Sequence, residues 1–162
     1  MVISPLAKST DPKVGFWILR IVYLGLFSSV LVYGLMVYLL LMQGTISERG
    51  FISDFPNLDV FRTILWLIAA GHFFAIRFVK TRFLKVEALR KRPMPVVQAI
   101  NSVYIIMFAI GEAIAIYGLL LFLIAALLQD FLVLAGVSLL ILYWLRPKED
   151  EYHALVRQVL RP

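Results

Sequence analysis

Residues 101–121 read NSVYIIMFAIGEAIAIYGLLL, an apolar run with a single carboxylate, Glu112, near its centre. A run of this length and character predicts a helix long enough to cross a bilayer. A charge at the middle of a bilayer costs about 3 kcal/mol on insertion scales, so such a residue is a functional-site candidate by default.

The composition around that stretch sets the class. Of 162 residues 62% are apolar, with a mean hydropathy of +0.90, against roughly 45–50% apolar in soluble domains. A water-soluble fold of this size has no way to cover so many leucines, so the expected class is an all-α integral membrane protein. Cysteine is absent, which excludes disulfide frameworks, thiol redox chemistry of the quinone-linked thiol-oxidase kind, and Cys-ligated metal sites. The net charge of +6 sits beside apolar segments, where lysine and arginine face the cytoplasm and anionic lipid. It reads as a topology signal and not as a nucleic-acid footprint.

Four spans are expected, at about 15–42, 58–79, 96–128 and 131–145. Residues 1–14 form a polar tail. No charge occurs from Ile21 to Ser47, and Arg20 lies close enough to the helix end to snorkel. Gly25 and Ser29 are four apart, as are Gly71 and Ala75, the spacing that lets membrane helices approach closely. Tyr23, Tyr33 and Tyr38 read as ordinary membrane tyrosines, and no residue of the first helix is assigned chemistry. Asp59 and Arg62 are expected to pair across one helical turn. The run Arg77, Lys80, Arg82, Lys85, Arg90, Lys91 and Arg92 continues the second helix out of the membrane until Pro93 and Pro95 stop it. It serves topogenesis, or contacts lipid or a partner. Gln129 and Asp130 mark a tight turn, Tyr143 and Trp144 supply an aromatic belt, and Pro147 ends the fourth helix.

Residues 148–162 form an amphipathic tail with Tyr152, Leu155, Val156, Val159 and Leu160 on one helical face. It either lies on the membrane surface or docks a partner. Basic residues cluster in the N-terminal tail, in 77–92 and in the C-terminal tail. The positive-inside rule therefore places both termini in the cytoplasm, with a bacterial inner membrane or its equivalent as the expected location.

At about 100° per residue, Gln98, Asn101 and Glu112 share one face of the third helix and form a sparse polar stripe leading to the carboxylate. A carboxyl buried there holds its proton near neutral pH and ionises beside water or a cation. Glu112 either handles protons or, kept neutral, fixes helix packing through a hydrogen bond. His72, about a turn to the cytoplasmic side of the midplane, is placed to pair with Glu112 as a two-member relay, or is satisfied by a backbone carbonyl. The second histidine, His153, lies in the tail, so one chain cannot supply two haem ligands inside the membrane. No nucleophile–base pair, phosphate loop or metal-ligand spacing occurs. No cofactor or metal is expected, and catalysis by this chain is the less favoured reading.

Residues 92–121 also resemble the second helix of the c subunit, or proteolipid, of rotary ATP synthases. Glu112 is followed by a short apolar run and then Ile116, Tyr117 and Gly118, and Arg90, Lys91, Arg92 and Pro93 precede the helix as a basic loop does in that family. The resemblance implies that Glu112 is the ion-carrying carboxylate and that Tyr117 helps close its site. Ala113, in place of a hydroxyl residue, favours protons over sodium. The remainder of the chain does not match the family, since its second helix carries bulky Trp66, Phe73 and Phe74. The expectation is thus a small multi-pass subunit with a proton-binding set of Glu112, His72, Asn101 and Tyr117. Its partners are the bilayer and other membrane subunits or copies of itself. The alternative is an accessory structural subunit.

Overall fold

A computed structural model describes residues 11–44, 50–52 and 55–161. The tail residues 1–10 and most of the first loop, with its charges Glu48, Arg49 and Asp54, lie outside the described residues. The chain is all-helical, with α1 Pro12–Met42, α2 Leu58–Phe83, α3 Val86–Arg90, α4 Val96–Ala125, α5 Leu128–Trp144 and α6 Glu149–Leu160. Three of these, α1, α2 and α4, are long and apolar enough to cross a membrane. A fourth span results if α5 and α6, bent by 57° at their junction, count as one broken element.

Helix α4 is the axis, and α1, α2 and α5 each pack against it. Of its most apolar window 44% is buried, against 11% for α1 and 17% for α2. The elements run up and down, so the start of α1, the end of α2, the start of α4 and the end of α5 share one end of the molecule. Contacts there include Asn101 with the Gly15 carbonyl and the Lys80 ammonium over the Trp144 ring.

The helix ends follow local chemistry. Asp11 caps α1 by accepting from the Lys13 N–H at 2.9 Å, and Pro12 takes the first position, where its missing donor costs nothing. The helix therefore opens inside the stretch expected to be a tail. At the far end of α4, Ala126 adopts a left-handed conformation and Leu128 starts the next helix. The turn thus falls at 126–127 and not at Gln129–Asp130 as expected. Two otherwise unpaired carbonyls of α4 explain the shift. Leu123 O accepts from Phe51 N–H at 2.9 Å and Ile124 O from Ile52 N–H at 3.3 Å, so the first loop completes the helix end. Gly50 makes this possible: its φ is +81°, and a Cβ there would lie 2.3 Å from the Ile124 oxygen.

Helices α4 and α5 form a close hairpin. A Cβ added at Gly118 would come within 3.0 Å of Phe131, and Ser138 Oγ–H donates to the Gly111 carbonyl at 2.8 Å. The small residues that seat helices are therefore Gly111 and Gly118. Gly25 and Gly71, expected to do so, have open space where a Cβ would stand. Arg62 is also redirected. It bonds not Asp59 but buried Asp130, whose Oδ1 accepts from Arg62 Nη2 at 3.0 Å and from Trp66 Nε1–H at 2.9 Å. This ties α2 to the first turn of α5, where a carboxylate also suits the helix dipole.

The tail forms the expected amphipathic helix, with Glu149, Asp150 and Glu151 in its first turn. Much of its apolar face packs inward, while Leu160 stays exposed. Tyr152, Val156 and Val159 are buried, and α6 packs against α1, α3 and α4. Arg90 holds its far end by donating to the carbonyls of Val159 and Gln158, each at 3.0 Å, and of Arg161. These are the acceptors that a helix C-terminus leaves unpaired.

Candidate functional site

Glu112 projects from the middle of α4 toward α1, on the side away from the Gly111–Ser138 contact. Its Oε1 accepts from the Tyr33 hydroxyl at 2.8 Å and from the Ser29 hydroxyl. Ser29 and Tyr33 are four residues apart, so one face of α1 presents both donors a single turn from each other. The surroundings are apolar: Val30, Val37 and Phe108 are buried nearby on the same two helices, and Glu112 is itself half-buried.

The second carboxyl oxygen, Oε2, takes no hydrogen bond from a described residue. Among the described residues no buried side-chain nitrogen or oxygen lacks a partner, so Oε2 is not fully buried. The site is therefore a carboxyl held by two hydroxyls on one oxygen and by none on the other. The Ser29 hydroxyl has one proton and two acceptors, the Leu26 carbonyl at 2.7 Å and Glu112.

His72 and Tyr117 form a separate pair. Nδ1–H of His72 donates to the Ile68 carbonyl at 2.7 Å, which leaves Nε2 to accept from the Tyr117 hydroxyl at 3.2 Å. The rings meet edge-on with centroids 5.4 Å apart. Among the described residues no hydrogen bond joins His72 or Tyr117 to Glu112. The reason is helical phase: Glu112 and Tyr117 lie about 140° apart around α4, one facing α1 and the other α2. Of the two sequence readings for His72, the bond to a backbone carbonyl is present and the pairing with Glu112 is not.

Asn101 belongs to a third junction. Its Nδ2–H donates to the Gly15 carbonyl and its Oδ1 accepts from the Tyr152 hydroxyl, both at 2.9 Å. A Cβ at Gly15 would stand 2.2 Å from Val97, so glycine is what lets α1 approach. Burial pushes the Tyr152 phenol up to about 12. Gln98 is exposed, so the expected stripe is interrupted: Asn101 is closed off by α1 and α6 and does not lead to Glu112.

The basic run divides. Arg90 clamps α6, Lys80 lies 5.0 Å over Trp144 and Arg92 lies 5.5 Å over Phe83. Arg77, Arg82, Lys85 and Lys91 are exposed and form no ion pair among the described residues. No cluster of three His, Cys, Asp or Glu able to hold a metal occurs among the described residues.

Ser29 and Tyr33 escaped the sequence reading, although a serine and a tyrosine four apart in a charge-free helix are a legible signal once a buried acid needs donors. Comparison with known protein-family models, with characterised proteins and with solved structures finds no match for this chain.

Proposed function

We propose that this chain is an integral membrane protein whose spans are α1, α2, α4 and α5, with both termini cytoplasmic, and that Glu112 is a protonatable site between α1 and α4. The membrane placement is supported by three long apolar helices and by the gathering of Arg20, the 77–92 run and Arg146 at one end. Helix α5 has 17 residues, about 26 Å of helix against a core of about 30 Å, a gap closed by snorkelling or local thinning. The strongly charged α6 then stays on the cytoplasmic side.

The observation that carries the protonation reading is the asymmetry of the carboxyl. Two hydroxyls converge on Oε1 while Oε2 takes none, an arrangement that leaves one oxygen to carry a proton without unmaking its anchor. The likeness of residues 92–121 to a rotor helix favours the same role for Glu112. It gives no support to a rotor ring, because Tyr117 is engaged by His72 and α2 is bulky. The little-buried α1 and α2 favour assembly with other membrane subunits or with further copies. A structural role is the second reading, favoured by Ser138 and Asn101, which in this same chain serve packing alone.

Dicyclohexylcarbodiimide, which modifies protonated carboxyls reachable from lipid, separates the two. Labelling of Glu112 that falls as pH rises is the expected result. Absence of an adduct at every pH in folded protein, with proton flux untouched in Glu112→Gln, overturns the protonation reading.

A further inference from the structure

We infer that the cleft between α1 and the α5–α6 junction is a binding site for one anionic phospholipid. This rests on the membrane placement proposed above and is independent of the protonation of Glu112. The cleft encloses about 890 Å³, within the range of roughly 300–1,000 Å³ typical of ligand sites. At its polar end stand Arg20 from α1, Lys80 from α2, and Arg146 and Lys148 from the α5–α6 junction.

The charge balance selects the ligand. Two carboxylates also line the cleft: Glu151 is taken by Lys148 at 2.9 Å, while Glu149 lies 3.7 Å from His153, a contact that offsets its charge only when the histidine is protonated. Arg20, Lys80 and Arg146 have no carboxylate partner among the described residues. Arg20 rests on the Trp17 ring and Lys80 on the Trp144 ring, contacts that orient cations without neutralising them. Three such cations against the one carboxylate of Glu149 leave the cleft net positive, which calls for an anion.

The walls select its source. From the cations the cleft continues over Tyr143 and Trp144 to Leu24, Phe27 and Met107, which belong to the apolar parts of α1 and α4. A free phosphate has no use for that surface, whereas a phospholipid places its phosphate among the cations and an acyl chain along the apolar wall. Aromatic residues at this level mark the headgroup depth.

Native mass spectrometry of the full chain released from nanodiscs holding equal phosphatidylglycerol and phosphatidylcholine tests the assignment. One retained phosphatidylglycerol per chain is expected. Its affinity should fall roughly 30-fold in the double variant Arg20→Gln with Arg146→Gln, at about fivefold per surface cation. The double variant Arg77→Gln with Arg82→Gln, whose side chains do not line the cleft, should match the parent. Should the first variant fail to fold, Lys80→Gln alone reads a loss of about fivefold. Equal retention of both lipids, unchanged affinity in the cleft variants, or displacement by inorganic phosphate at equal affinity overturns the site. Flotation with pure phosphatidylcholine vesicles scores the membrane placement separately. A chain that floats yet shows no headgroup preference sinks this inference alone, and one that does not float sinks both.

Discussion

Two polar junctions join α1 to α4, and they differ in what they leave open. At Asn101 both polar side-chain atoms are engaged, by the Gly15 carbonyl and the Tyr152 hydroxyl, and α6 covers the contact. At Glu112 one oxygen receives two hydroxyls and the other receives none from a described residue. The first has the form of a lock, in which removing a partner strands buried groups. The second leaves one oxygen unbonded, and the proposed protonation rests on that oxygen. The two junctions should therefore answer mutation in opposite ways.

The largest effect is expected at the lock. Asn101→Leu strands the Gly15 carbonyl and the Tyr152 hydroxyl and should lower stability by about 3 kcal/mol, measured by unfolding in detergent. A loss under about 0.5 kcal/mol would mean that the junction is not closed as described. Arg90→Gln comes next. It removes the clamp on the α6 carbonyls and should cost about 1–3 kcal/mol, read as faster amide exchange across 149–160 with α2 unaffected.

Tyr152→Phe should cost about 1 kcal/mol at neutral pH, and it also changes the pH profile. The phenol titrates at about 12 in the folded chain, against 10.0 unperturbed. Between these values the unfolded chain has lost a proton that the folded chain keeps, so stability falls as pH rises from 10 toward 12. Melting temperatures across that window should drop in the parent and flatten in Tyr152→Phe; parallel curves would contradict the assignment. The smallest stability effect belongs to Glu112→Gln, under about 1 kcal/mol, since an amide oxygen still accepts from Tyr33 and interhelical bonds in membranes average well below that figure. A loss comparable with Asn101→Leu would erase the contrast between the junctions.

The sequence made the helices and Glu112 legible because apolar runs and an isolated carboxylate depend on composition and period alone. It placed α1, the start of α2 and the amphipathic α6 to within a few residues, but it carries α2 on to Pro93, whereas the helix ends at Phe83 and Lys85 turns extended before α3. It did not reveal which faces meet. Spacing pairs Arg62 with Asp59, its neighbour in sequence, because nothing local indicates that Asp130 is brought closer by the α4–α5 hairpin. Polar residues point to a turn at Gln129–Asp130. The actual break at Ala126 depends on two backbone bonds from the first loop, which carry no side-chain signature. Depth alone pairs Glu112 with His72, whereas azimuth around α4 decides, and that follows from where α1 and α2 pack.

The central claim is that Glu112 changes protonation while its junction with α1 stays formed. Infrared difference spectroscopy of the protein in liposomes, stepped in pH, reads this directly. A protonated-carboxyl band should disappear as pH rises, be absent in Glu112→Gln, and shift in Tyr33→Phe, with the helical amide bands unchanged throughout. A carboxyl signal that never changes with pH in the folded protein would contradict the account.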